Sequence, residues 1–479
     1  VSLKQKAVSG AKWTAFSTIF STIFQVARIV VLGRLLAPED FGLMAMMVVV
    51  TGFAGIFGEM GLGSAIIQRP NPTRNELSSL YWLNVIFGIF VYIILLFITP
   101  FVAIFYSSPD LRTMLPVVSL TFLFIPLGNQ FRALLQKKLL FKKLSCIEVI
   151  SSGLGTLAAI FLAFAGWGVW SLIYAQLIES GFRTCWLCWI GWRLPTRPFM
   201  HFLIQDLRGY IQFGLHDVGA MSINYFNSRM DQLVIGVILG PEALGFYSMA
   251  FNLVMMPVQK INPILTRVAF PVFVQVQHDR DRLKRGYLKM LNILTTVNAP
   301  VLMGFAAVAP LAIPLILGNK WIPIIHVVQI LCFYTLIRST GNPGGSLVMS
   351  IGRADISFYW NLGLLFIVPT TVYFSGILGR NIETISWALV GVQGILWVSW
   401  YILVVKKILG SIFIEYSATM LKPAIISFAM FVCINYMISF FSVSFVFLGA
   451  AVLLGGALFL VMEILFDRKN VKSILEFVR

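Results

Sequence analysis

Val31-Leu32-Gly33-Arg34-Leu35-Leu36-Ala37-Pro38-Glu39-Asp40-Phe41-Gly42 has an echo 203 residues downstream, Val234-Ile235-Gly236-Val237-Ile238-Leu239-Gly240-Pro241-Glu242-Ala243-Leu244-Gly245. Gly33 aligns with Gly236, Leu36 with Leu239, Pro38-Glu39 with Pro241-Glu242, and Gly42 with Gly245. Each stretch reads as a tight turn between two long apolar runs. A repeated helix–turn–helix unit in such a chain predicts a membrane architecture built from two related halves.

Composition supports that reading. The chain has 479 residues, is 58% apolar and only 11% charged. A soluble domain of this size does not hide so much apolar surface. Apolar runs near 20 residues, enough to cross a ~30 Å hydrocarbon core, recur throughout. The expected fold class is all-α, a polytopic membrane protein with about fourteen spans. They run roughly 9–36, 41–67, 77–104, 112–135, 146–165, 168–191, 210–239, 243–273, 287–316, 322–350, 354–377, 383–407, 419–440 and 444–466. Lys4, Lys6 and Lys12 before the first apolar run imitate a secretory signal. That run continues to Leu36, too long for one, and reads as the first membrane helix.

The net charge of +17 is a matter of topology, not of nucleic acid. Alternate connections are strongly basic: Lys137, Lys138, Lys142 and Lys143; Arg193, Arg197 and Arg208; Arg280, Arg282, Lys284 and Arg285; Arg468, Lys469 and Lys472. The intervening ones carry only Arg34, Arg112, Lys320 and Arg380. An even number of spans with both termini on the cytoplasmic side follows. The long connections 192–209 and 274–286 fit two readings, amphipathic segments on the membrane surface or charged linkers. The five cysteines and four histidines form no metal signature, and no phosphate-binding glycine loop is present. Transport would therefore run on a gradient or on substrate supply.

The repeat extends beyond its turns. Thr14, Ser21 and Arg28 fall on Asp217, Asn224 and Asp231, each set on one helical face. Ser17, Thr18 and Gln25 join the first stripe; Asn227 and Ser228 join the second. Small hydroxyls fit a helix-packing seam, but the charges do not, since each costs about 2.5–3.5 kcal/mol at mid-membrane on insertion scales. Leu127-Gly128-Asn129 is echoed by Thr340-Gly341-Asn342. The domain expectation is an N-lobe at 1–192, a cytoplasmic linker at 193–209, a C-lobe at 210–407, and two extra helices with a tail at 408–479.

Cations inside the spans outnumber acids: Arg28, Arg132, Arg183, Arg229, Lys260, Arg267 and Arg338 against Glu59, Glu148, Glu179, Asp217 and Asp231. Arg132 and Arg267 stand within two turns of helix ends and can snorkel. Lys260 and Arg338 need a counter-ion or a hydrated cavity with an anionic ligand. Arg28 and Asp231, equivalent in the repeat, can pair. Hinge candidates are Pro257 and Pro263, and Asn342-Pro343-Gly344-Gly345. The glycines around Glu59 permit either bending or close packing.

Ser9-Gly10-Ala11-Lys12-Trp13, Ile66-Ile67-Gln68-Arg69, Leu80-Tyr81-Trp82-Leu83-Asn84, Gln130-Phe131-Arg132-Ala133-Leu134, Lys260-Ile261-Asn262-Pro263-Ile264-Leu265-Thr266-Arg267, Arg338 to Gly345 and Asp355-Ile356-Ser357-Phe358 occur in order. Together they resemble the polysaccharide-exporter family, in particular the colanic-acid and teichuronic-acid exporter branch of the multidrug/oligosaccharidyl-lipid/polysaccharide (MOP) superfamily. The resemblance implies two six-helix lobes around a central cavity, plus two C-terminal helices that form a groove for a prenyl tail. It implies flipping of an undecaprenyl-diphosphate-linked oligosaccharide across the bacterial inner membrane by alternating access. It assigns the diphosphate to Arg132, Lys260, Arg267 and Arg338, with Arg28 beside them. Asn224, Asn227 and Gln25 are then sugar contacts. Asp217, Asp231 and Glu59 are candidate coupling acids for H+ or Na+; no other cofactor is expected. Membrane lipids, a glycan polymerase and export machinery are the implied partners. The rivals are a cation-coupled multidrug exporter, disfavoured by the surplus of cations, and a membrane-embedded glycan polymerase or ligase, disfavoured by the short outer loops.

Overall fold

The structure, a computed structural model, describes residues 3–59, 62–69, 71–207, 209–438, 440 and 444–466. Among these residues every regular element is a helix. The chain divides into two compact units, Val1–Gly245 and Phe246–Arg479.

The first unit contains α1 (Leu3–Leu35), α2 (Pro38–Glu59), α3 (Leu62–Gln68), α4 (Arg74–Phe105), α5 (Leu111–Ser119), α6 (Thr121–Lys137), α7 (Phe141–Phe164) and α8 (Val169–Gly191). It also holds the start of α9 (Tyr210–Gln275). The second unit holds the rest of α9, then α10 (Arg280–Ile316), α11 (Ile324–Ser339), α12 (Asn342–Ser350), α13 (Ala354–Gly379) and α14 (Ile382–Trp400). A π-helical turn at Tyr401–Val405 leads to α15 (Lys406–Leu409), α16 (Phe413–Ile438) and α17 (Phe445–Phe466). Twelve segments among the described residues are long and apolar enough to cross a membrane. One of them, Met221–Gln275, contains two spans divided at Gly240, whose φ of 80° leaves the helical region. With α8, whose 23 residues extend about 34 Å, the fourteen expected spans are all accounted for.

Local signals set the boundaries. Thr73 and Glu76 form a capping box at the start of α4, with the Thr73 N–H donating to Glu76 Oε2 at 2.8 Å. Asp279 accepts from the amides of Asp281 and Arg282 to open α10, and Asn381 accepts from Thr384 N to open α14. Lys137 donates to the Ile66 and Arg69 carbonyls and so closes the end of α3. In the first unit α1 packs on α7, α7 on α8, and α6 on both α8 and α4. In the second, α10 packs on α16 and α11, and α14 on α11 and α13.

The two repeated turns touch one another. A methyl group on Gly42 would stand 1.7 Å from the Pro241 carbonyl oxygen, and one on Gly245 would stand 1.8 Å from the Pro38 carbonyl oxygen. Backbone therefore meets backbone with no side chain between. Pro38 opens α2, where its missing N–H costs nothing. Asp40 completes the first turn: its carboxylate accepts from Ala37 N at 2.9 Å and from Val169 N, the first residue of α8, at 3.0 Å.

The 192–209 connection is an anchored segment, not a free charged linker. Ser79 Oγ donates to Asp206 at 2.8 Å and accepts from Leu203 N, and Trp82 Nε1 donates to the Phe199 carbonyl. Asp206 also bonds His201. Held this way on α4, the segment turns Met200, Phe202, Leu203 and Ile204 outward. That is the pattern of a chain lying in a membrane interface.

Candidate functional site

The polar stripe of α1 is partly self-satisfied. Ser17 and Thr18 donate to the Thr14 carbonyl, and Thr22 to the Thr18 carbonyl. Such back-bonding lets hydroxyls sit in a membrane helix without a partner helix. Gln25 is exposed and available. Arg28 pairs with Glu179 of α8 at 3.6 Å, and Glu179 is shared with Arg183 one turn along at 2.5 Å. One carboxylate thus lies between two guanidinium groups. Gly155 on α7 makes the room, since a methyl group there would stand 2.8 Å from Glu179 Cβ. The ion pair expected between Arg28 and Asp231 is replaced by this triad. The packing of α1 and α8 on either side of α7 brings Glu179 to Arg28, and repeat equivalence carries no information about that.

Asp231, on α9, is 5% exposed and accepts from the Gln232 N–H at 2.8 Å. Arg229 donates to the Gln232 side chain at 2.9 Å. Asn224 is exposed and Asn227 half-buried on the same helix. Tyr225 docks on α2, donating to the Val48 and Val49 carbonyls, and its hydroxyl occupies the space that a side chain on Gly52 would need. Close packing therefore accounts for Gly52. The side chains of Glu59 and Asp217, and all of Gly61, lie outside the described residues.

Two of the cavities among the described residues lie in the first unit. One, of about 250 Å³, is lined by Gly63, Ile66 and Ile67 of α3, Asn84 of α4, Asn129, Gln130, Arg132, Ala133 and Gln136 of α6, and Met221 of α9. Arg132 has a single long ion pair, 3.5 Å to Glu148 of α7, with both side chains well exposed. An exposed pair of this kind contributes little and is readily exchanged. Asn129, Arg132 and Gln136 are spaced to share one face of α6, the sequence signal from which Asn129 and Gln136, absent from the expected site, could have been found. Asn84 carries no such signal. The second cavity, about 470 Å³, is walled by Phe53, Phe57, Phe87, Phe90 and Phe226, with Arg229 among its lining. Its surface chemistry suits a hydrocarbon chain.

In the second unit Lys260 and Arg267 are both exposed on α9. Asn262, between them, is 4% exposed and accepts from Asn298 of α10 at 2.8 Å. This buried amide pair fixes the motif that presents Lys260. Arg338 is half-buried at the end of α11, donates to Tyr334 Oη at 2.9 Å and stands 5.7 Å from that ring. α9 keeps helical dihedrals through Pro257 and Pro263. Between Ser339 and Asn342 the bonding tightens to i→i−3, Thr340 N to the Ile337 carbonyl and Gly341 N to the Arg338 carbonyl, with Pro343 in the first turn of α12. Gly344 packs against the Trp400 indole, 2.6 Å from where a methyl group would be, whereas Gly345 has open space. No group of three or more His, Cys, Asp or Glu that could hold a metal occurs among the described residues.

Residues 31–326 match the family described as "Polysaccharide biosynthesis protein". The lipopolysaccharide biosynthesis protein WzxC of Escherichia coli (strain K12) is 35% identical over 428 residues, 89% of this chain and 86% of that one. The teichuronic acid biosynthesis protein TuaB of Bacillus subtilis (strain 168) is 32% identical over 90% of this chain and 88% of its own. Among solved structures, the lipid II flippase MurJ in its inward closed conformation aligns over 95% of this chain and 99% of its own with a TM-score of 0.75, at 15% identity. An inward-facing multidrug resistance MATE family transporter of the MOP superfamily aligns with a TM-score of 0.64 at 14% identity. These two likenesses establish a shared fold. The match over more than half of the sequence, with relatives above 30% identity along nearly all of it, makes this chain a member of the polysaccharide biosynthesis protein family.

Proposed function

We propose that the protein is a transporter, not an enzyme, that flips an undecaprenyl-diphosphate-linked oligosaccharide from the cytoplasmic to the outer leaflet of the bacterial inner membrane. The observation that carries this reading is Arg132, a weakly paired cation in an amide-lined cavity inside a membrane helix bundle. A diphosphate is an anion that such a guanidinium holds bidentately, and the amides suit sugar hydroxyls. Both termini are cytoplasmic in this scheme, with residues 1–192 and 210–407 acting as alternating-access lobes and 193–209 as the linker.

The diphosphate enters beside Arg132 and Arg267, then engages Lys260 and Arg338; Arg28 belongs to its ion-paired triad. Gln25, Asn224 and Asn227 meet the glycan. The prenyl tail stays in lipid, along α16 and α17 or the phenylalanine-walled cavity of the first unit. Asp231, Asp217 and Glu59 are the coupling acids for H+ or Na+. A glycan polymerase and export machinery are the downstream partners. The multidrug-exporter alternative requires an acidic drug site. The apolar cavity contains Arg229 instead, the wrong sign for a lipophilic cation.

Two expected outcomes test the scheme. In proteoliposomes loaded with undecaprenyl-diphosphate oligosaccharide, Arg338→Ala and Lys260→Ala should each slow flipping by roughly tenfold, the loss of one charge-assisted contact. Full transport by both variants would overturn the anionic assignment. Gly345→Ala should raise thermal stability by about 0.5–1 kcal/mol, because a helix-interior glycine with open space is being replaced, while slowing transport. Unchanged transport would remove Gly345 from the hinge.

A further inference from the structure

Gln130 is the most anomalous polar group near Arg132. It is 1% exposed, and neither Oε1 nor Nε2 has a hydrogen-bond partner among the described residues. Buried amides are nearly always satisfied, so a carboxamide unpaired at both ends calls for an explanation. It lines the 250 Å³ cavity together with Asn84, itself 3% exposed, Asn129 and Gln136. Four carboxamide residues and one arginine line this space, which has room for several water molecules. That is room for at least one sugar ring.

Carboxamides offer a donor and an acceptor side by side, and adjacent sugar hydroxyls each donate and accept. A diphosphate alone would use only donors, leaving the acceptor oxygens of four amides idle. An apolar ligand would use neither. The lining chemistry therefore selects a neutral polyhydroxylated ring attached to an anion. Resting on the flippase reading above, we propose that this cavity is a specificity subsite for the lipid-proximal sugar, with Gln130 and Asn84 reading its hydroxyls while Arg132 holds the adjoining phosphate. Gln130 is left unpaired by the protein because the sugar is its partner. The subsite would make the first sugar, not only the lipid carrier, part of what the protein selects.

The test compares binding of undecaprenyl diphosphate with that of undecaprenyl diphosphate carrying one glucose, galactose or N-acetylglucosamine, using the full-length protein in detergent and titration calorimetry. At least one sugar-bearing probe should bind roughly tenfold tighter than the bare diphosphate, the gain of a net hydrogen bond or two. Gln130→Met, close in volume and without polar atoms, should erase that ratio, whereas Arg132→Ala should weaken both kinds of probe together. The unliganded Gln130→Met protein should melt at or above the wild-type temperature, because an unsatisfied amide has been removed; a merely structural glutamine would give the opposite. Should that variant fail to fold, Asn84→Leu carries the same expectation for the ratio. A ratio preserved in the folded variant, or a wild type indifferent to all three sugars, overturns the subsite. Failure of the bare diphosphate and of every sugar-bearing probe to bind would overturn the flippase reading with it.

Discussion

Gly42→Ala destabilises the protein by about 3 kcal/mol and sharply lowers its folded yield, and Gly245→Ala does the same. The expectation follows from two distances: a methyl group at either site would lie under 2 Å from a carbonyl oxygen of the opposing turn. The obstacle is backbone, so no rotamer change can relieve it, and the cost belongs at the upper end of overpacking penalties. Relief requires the turns to part. Once one substitution has separated them, the second meets less resistance, and the double variant should cost much less than the sum of the singles. Thermal unfolding of the purified variants in detergent measures this. Full additivity would show that the turns do not share one contact. Gly181→Ala, with open space around it in α8, is the control and should not destabilise.

Removing the carboxylate of Glu179 has the second largest expected effect. Glu179→Ala leaves Arg28 and Arg183 facing each other within the membrane-spanning region, where each had been neutralised by the same group. Losing one partner of a buried ion pair costs about 3–5 kcal/mol, and the partial exposure here, 21% for Glu179, 34% for Arg28 and 36% for Arg183, lowers the expectation to ~2 kcal/mol. Adding Arg28→Gln should recover a large part of the loss, because the remaining guanidinium then has no like charge to oppose. Thermal stability of the single and double variants gives the coupling. If Glu179→Ala alone matches wild type, the triad is not a stabilising element.

The spans were legible because hydropathy is a local property. Each helix announces itself through a run of apolar residues and ends at residues such as Thr73, Asp279 or Asn381 that cap it. α8 carries Glu179 and Arg183 within its apolar run, yet the short turn at Gly166-Trp167-Gly168 marks where it begins. The site was only partly legible. Arg132 stood out as a charge in an apolar run, and its partners Asn129 and Gln136 follow from helical spacing. Asn84 lies on another helix, and nothing in a one-dimensional pattern joins residues 84 and 130. The partner of Arg28 is 151 positions away and was misassigned for the same reason. Matching positions in a repeat are related by duplication, which does not make them neighbours; Gly42 and Gly245 are both, whereas Arg28 found its partner within its own half.

The reciprocal contact of the turns has a further meaning. Each glycine meets the proline carbonyl of the other turn, in the arrangement that a symmetric dimer uses when one patch faces its own copy. A half-length ancestor carrying one Pro and one Gly at these positions would already possess both sides of the interface. A single sequence change would then have been felt twice, and a single good solution rewarded twice. A single chain is free of that constraint, and neighbouring positions differ: Asp40, which fastens the first turn to α8, is matched by Ala243 in the second. Among the residues identical on both sides are the proline and glycine whose backbone contact leaves no room for a side chain.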